Sequence, residues 1–146
     1  MDVFIREAQE GDYLAIGNLI KHELGYGDID FTSLFDRLRR ISSDDNYMTF
    51  VAVMDTQVVG FIGLLKYITY ELDNGYLRIL AMAVSQEQQN KGIGSELLRQ
   101  AEQFAAENNI AHIMLTSRLN RLAAHIFYEH NDYVKKSYGF SKTINE

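Results

Sequence analysis

The chain has 146 residues, 47% of them hydrophobic and 12% aromatic, enough for one well-packed core and too few for two, so residues 1–146 read as a single domain. A formal charge of −6 argues against a nucleic-acid partner, and the absence of cysteine excludes disulfides, thiolate metal sites and a cysteine nucleophile. No apolar run has membrane-spanning length and no basic-then-apolar leader opens the chain, so a cytoplasmic protein that leaves membranes alone is expected.

Residues 3–6 are a short strand candidate. Gly11 and Asp12 supply a helix start, with Asp12 as N-cap, and Tyr13, Ile16, Ile20 and Leu24 follow at helical spacing until Gly25 and Gly27 stop them. A second helix is predicted over 31–41, capped by Asp30, with Phe31, Leu34, Leu38 and Ile41 on one face. Arg37, Arg39 and Arg40 on that helix read as a solvated face. Residues 49–54 and 58–67 are strands joined by a turn at Asp55, Thr56 and Gln57. Gly60 and Gly63 inside the second of them imply a bulge or a close backbone approach. Asp73, Asn74 and Gly75 make another turn before the apolar run 76–84, which reads as a buried central strand in an antiparallel meander.

A helix over 95–108, preceded by a glycine loop, buries Ile93, Leu97, Leu98, Ala101, Phe104 and Ala105. Residues 110–116 are then a strand parallel to 76–84, because a helix connects the two. Residues 121–130 form a short helix, and 133–143 a last strand or hairpin. Pairing of that strand with a second copy, to make a homodimer, is left open.

The loop itself, Gln89, Asn90, Lys91, Gly92, Ile93 and Gly94, stands between a strand and a helix. Strand, glycine loop and helix in that order place unpaired N–H groups at the positive end of a helix dipole, where phosphate binds readily. Gly92 and Gly94 have no Cβ to hold a ligand off the main chain. A Walker loop is excluded, since Gly-x-x-x-x-Gly-Lys-Ser/Thr occurs nowhere. A dinucleotide fingerprint is excluded too, because Leu97 stands where its third glycine belongs. A plain strand-to-helix turn without a ligand is the alternative reading of the loop.

Gln89-x-x-Gly92-x-Gly94 after a hydrophobic strand resembles the pyrophosphate loop of the GCN5-related N-acetyltransferase (GNAT) family. Residues 121–129, Arg-Leu-Ala-Ala-His-Ile-Phe-Tyr-Glu, resemble that family's second cofactor motif. The two motifs are in the family's order, and the resemblance spans about residues 3–142. It implies an α/β (α+β) fold with a mixed, mostly antiparallel sheet splayed at the central strand and helices on both faces. It further implies an acetyl-coenzyme A-dependent N-acetyltransferase acting on a primary amine of a small molecule or peptide by direct attack in a ternary complex.

The resemblance assigns the diphosphate to the backbone at Gln89, Asn90, Lys91, Gly92, Ile93, Gly94 and Ser95. It assigns the pantetheine arm to the backbone of Met82, Ala83 and Val84 and to Asn120, whose other reading is an N-cap for the helix at Arg121. Ala124 and Phe127 flank the same site, Phe127 chiefly as packing. Tyr128 is the expected catalytic acid, since a phenol of pKa ~10 stays protonated while a thiol titrates near ~8.5. A backbone N–H near Met82 or Ala83 would polarise the thioester carbonyl.

Two departures stand out: the second motif ends Asp132-Tyr133 where Gly-Phe or Gly-Tyr is usual, and Arg78 stands where relatives often carry a glutamate base. Glu71 and Asp73 are the nearest acidic candidates, Asp28 and Asp30 could attract a cationic acceptor, and Tyr26, Tyr67 and Tyr70 could line its pocket. Arg78 favours the alternative of a non-catalytic acyl-coenzyme A sensor or interaction module. No metal is needed for the transfer. His125 and His130, five apart, share no helix face, and His125 reads as structural.

Overall fold

Four strands run antiparallel in chain order and a fifth joins in parallel: β1 (Val3–Glu7), β2 (Tyr47–Met54), β3 (Gln57–Tyr67), β4 (Tyr76–Val84) and β5 (Ile113–Met114). The helices are α1 (Tyr13–Glu23), α2 (Phe31–Ser42), α3 (Ile93–Glu107) and α4 (Leu122–His130). These come from a computed structural model that describes residues 2–145 and divides into two compact units, Met1–Met114 and Leu115–Glu146. The first holds the whole sheet with α1, α2 and α3. The second holds α4.

Within the first unit the faces of the sheet follow from strand alternation. Val51, Val53, Phe61 and Ala83 form one buried cluster with Tyr13, Ile16 and Leu19 of α1 and Leu34 and Leu38 of α2. The opposite face meets α3, whose Phe104 ring packs edge-on against Phe50 at 6.1 Å. Helices thus cover both faces, as the sequence implies. The bulges expected near Gly60 and Gly63 are present, as register shifts between Ala52 and Val53 and between Gly63 and Leu64. The second leaves Leu80 of β4 without a partner on β3. A Cβ at Gly75, where φ is +67°, would stand 1.9 Å from the Tyr67 carbonyl oxygen, so the turn into β4 admits only glycine.

Three expectations need correction. Asp12 does not cap α1 through its side chain. Its carboxylate instead takes a bidentate pair from Arg6 of β1 at 2.7 and 2.9 Å, and the Gln9 N–H at 2.7 Å, tying the first strand to the start of the first helix. The expected strand 110–116 shrinks to Ile113–Met114. Asn109 adopts φ +58° and the amides of Asn109 and Ile110 return to the carbonyls of Ala106 and Ala105, which closes α3 in a Schellman motif. Ile110 is buried as part of that stop. Finally, residues 133–143 carry no strand. Val134, Tyr138 and Phe140 are exposed and their alternation is broken by Lys136, so the strand whose pairing with a second copy was left open is not formed.

The Asp12 pair makes a prediction. Its hydrogen bonds from Arg6, foremost, and from Gln9 hold the carboxyl below its ordinary pKa, against the opposing effect of burial. The stability it contributes is therefore complete above the unfolded pKa of about 3.9 and is lost as pH falls through the lower folded value. Asp12→Asn should destabilise the fold by about 1–3 kcal/mol at pH 7. In urea titrations it should also flatten the decline in stability below pH ~4.

Candidate functional site

β4 belongs to the sheet on both sides only at its start. β5 pairs with Leu77 and Arg78 and then stops. Beyond that point no strand, among the described residues, lies along the second edge of β4. The Ser85 N–H donates to the Val59 carbonyl at 2.8 Å, so by strand alternation Ala83 also faces β3, while Met82 and Val84 turn their backbone groups to the open edge. Of the three residues expected to offer backbone bonds there, Met82 turns both its groups and Val84 its N–H to that edge, the Val84 carbonyl accepting from Gln89 Nε2, and Ala83 is committed to the sheet. A central strand with an unpaired edge is a costly thing to leave without a purpose.

The chain then turns into α3. Ser85 leads into a 3-10 turn over Gln86–Gln88, Gln89 is extended, and Asn90 and Gly92 take φ of +63° and +83°. Gly92 is the N-cap of α3 and has no side chain to cap with. The amides of Ile93, Gly94 and Ser95 have no acceptor inside the helix. Nothing lies within 4 Å of where a Gly92 Cβ would be, so the approach to those amides is open. Gly94 lies in the first turn with no left-handed φ. The buried side chain of Ile93 anchors the turn to the core.

These features fit a diphosphate. The helix dipole contributes only about 0.3–1 kcal/mol at an exposed end, whereas hydrogen bonds to a charged group are worth roughly 1.5–3 kcal/mol each, so the amides would dominate the attraction for such an anion. Lys91 adds a cation beside them, its Nζ donating to Gln88 Oε1 at 3.0 Å.

The side chain of Gln89, a residue expected to act through its backbone alone, is engaged within the fold. Its Nε2 donates to the Val84 carbonyl at 3.0 Å and to Glu23 Oε1 at 3.4 Å, and Glu23 Oε2 accepts the Gln86 N–H at 3.1 Å. Glu23 was not anticipated from the sequence. The one available signal was its charge, since a carboxylate in the last turn of α1 opposes the helix dipole.

The remaining candidates lie in the second unit. Tyr128 is half-buried in α4, its ring edge-on to Phe127 at 5.3 Å and to Tyr133 at 6.1 Å. Burial pushes its phenol above the ordinary value, with Arg121 pulling weakly the other way. Ala124 and Phe127 are half-buried on the same helix and Asn120 is exposed. Asn120 is not a cap: α4 begins at Leu122 with Arg121 in the N-cap position, and no side chain bonds there. His125 is structural, its Nε2 lying 2.8 Å from the Arg118 carbonyl oxygen.

Of the acceptor-side candidates, Asp30 is occupied in capping α2 through Thr32 N–H and Ser33. Tyr67 stacks on Tyr76 at 6.0 Å and donates to Met114 Sδ at 2.9 Å, which makes it a packing residue. Tyr26, Tyr70, Asp28, Glu71 and Asp73 are exposed, and Arg78 is half-buried on β4.

Comparison with known proteins adds the following. The family described as Acetyltransferase (GNAT) family matches residues 14–133. The chain is 27% identical over 138 residues to an aminoalkylphosphonate N-acetyltransferase of Salmonella typhimurium, covering 94% of this chain and 86% of that one. Among solved structures, a GNAT family acetyltransferase from Staphylococcus aureus superposes with a TM-score of 0.79 at 29% identity, over 99% of this chain and 100% of the other. A protein described as a transcriptional regulator from Bacillus halodurans superposes with a TM-score of 0.87 at 26% identity, over 98% and 100%.

Gly92→Ala should cost roughly 1–2 kcal/mol of stability through its left-handed φ, with no clash to add. Its methyl group would stand in the open approach, and calorimetry should show coenzyme A binding about tenfold weaker.

Proposed function

We propose that this chain, which belongs to the GNAT acetyltransferase family, transfers the acetyl group of acetyl-coenzyme A to a primary amine of a small molecule or peptide. It is an N-acetyltransferase, and residues 1–146 act as one domain. The observation that carries the reading is the run of uncapped amides at the start of α3, beside the free edge of β4. Acetyl-coenzyme A supplies an activated thioester.

The backbone at Gln89, Asn90, Lys91, Gly92, Ile93, Gly94 and Ser95 holds the diphosphate. Met82 and Val84 hydrogen-bond the pantetheine arm as a neighbouring strand would, with Ala83 keeping the strand in register. The Met82 N–H, on the open edge, polarises the thioester carbonyl as it gains negative charge. Asn120, Ala124 and Phe127 complete the cofactor contacts. The Tyr128 hydroxyl gives its proton to the departing thiolate, the nitrogen loses one to solvent as the amide forms, and the tyrosinate regains a proton from solvent.

The chain has no cysteine, so no acyl-cysteine can form, and the amine attacks the thioester directly in a ternary complex. An alkyl ammonium of pKa ~10.4 is neutral in only roughly one molecule in a few thousand at pH 7. With Arg78 in place of a glutamate, that proton passes to water. The raised pKa of Tyr128 keeps it in the acid form throughout the neutral and mildly alkaline range.

Wild-type protein given acetyl-coenzyme A and a panel of primary amines should release free thiol. Coenzyme A at about 100 times its dissociation constant should stabilise the fold by about 2.7 kcal/mol. Tyr128→Phe should lower kcat by about 10²-fold or more while leaving that stabilisation in place. The alkaline fall in wild-type kcat due to this phenol should lie above pH ~10, because burial raises its pKa. Thiol release by Tyr128→Phe at the wild-type rate would remove the tyrosine from the mechanism.

A further inference from the structure

Glu23 occupies a place that helix electrostatics disfavour. It is the last residue of α1, where the dipole is negative, and the same turn carries Lys21 and His22, which suit that end. Glu23 as a residue is half-buried, and each oxygen of its carboxylate is used. Oε2 accepts the Gln86 N–H at 3.1 Å and Oε1 accepts Gln89 Nε2 at 3.4 Å.

The first of these bonds falls at a turn without a side-chain cap. Gln86 opens the 3-10 turn after β4, and the residue before it, Ser85, makes no side-chain cap bond. Glu23, from another element, instead receives the first amide of the turn. The second bond completes the amide of Gln89, whose other N–H closes back on the Val84 carbonyl at 3.0 Å. Val84, Gln86, Gln89 and Glu23 therefore form one braced ring between the end of β4 and the loop that enters α3. The ring also withdraws the Val84 carbonyl from the open edge, which leaves the Met82 groups and the Val84 N–H facing it.

We infer that Glu23 is a positioning residue for acetyl-coenzyme A: from the end of α1 it fixes the 86–89 turn, and so the direction in which the amides of residues 92–95 point. The inference rests on the reading of that loop as the diphosphate site. Glu23 touches neither the diphosphate nor the reacting atoms in this account. Its effect on binding passes through Gln86 and Gln89, and a carboxylate so close to an anion site is tolerable because its oxygens are turned onto those donors.

The test measures coenzyme A binding by calorimetry and acetyl transfer kinetics for wild type, Glu23→Ala, Glu23→Gln, Gln89→Ala and the double variant Glu23→Ala/Gln89→Ala. Glu23→Ala should weaken coenzyme A binding and raise KM for acetyl-coenzyme A about tenfold, with kcat at saturation within about twofold of wild type. Glu23→Gln, which keeps shape but offers one accepting oxygen in place of two, should fall between, and it carries the test if the alanine variant does not fold. The double variant should lose less than the product of the single losses, because both act through one ring. Wild type that binds coenzyme A, with both Glu23 variants binding equally well, overturns this inference alone. So does a loss confined to kcat. Wild type that binds no coenzyme A overturns the assignment of the loop, and this inference with it.

Discussion

The first amides of an α-helix have no carbonyl inside the helix to receive them. Most helices answer with a serine, threonine, aspartate or asparagine at the N-cap. α3 answers with Gly92, which has no side chain and a backbone conformation that other residues adopt only at a cost. The donors therefore have no cap side chain to bond to. The rest of the first unit keeps them in place: Ile93 is sunk in the core on one side, and β4 enters from a sheet with helices on both faces on the other.

β4 itself is treated differently along its length. Its first residues are paired on both edges, then a bulge at Leu80 shifts the register, and past β5 the strand runs on with one edge open. The geometry of a sheet thus yields two kinds of donor close in sequence. Met82 and Val84 can pair with an extended ligand as with a strand, and the amides of α3 can receive an anion. An acetyl donor built as a diphosphate joined to an amide-bearing arm needs both kinds.

Much of this was legible in the residues. The alternating and continuous apolar runs located four strands, the spacing of Ile93, Leu97, Leu98, Ala101 and Ala105 located α3, and the two glycines located its uncapped start. The errors share a physical cause, which is competition between local hydrogen bonds and longer elements. Asp12 suits an N-cap by type, but an arginine on β1 offers a stronger bidentate partner. Ile110 looks like the first residue of a strand and is the apolar stop of a Schellman motif. Residues 133–143 have strand-forming side chains, but a strand exists only where an edge pairs with it. Glu23 showed in the sequence only as a charge at the wrong end of α1, because its partners, Gln86 and Gln89, are more than sixty positions away and fixed by the fold alone.

On the proposed function, the main-chain amides at the head of α3 receive a diphosphate. Backbone amide resonances of ¹⁵N-labelled protein, followed during titration with coenzyme A and separately with pantetheine, test it directly. Coenzyme A should move the resonances of Gly92, Ile93, Gly94 and Ser95 most, and pantetheine, which lacks the diphosphate, should leave them in place. Saturation with coenzyme A that shifts other amides and leaves these four unmoved would contradict it.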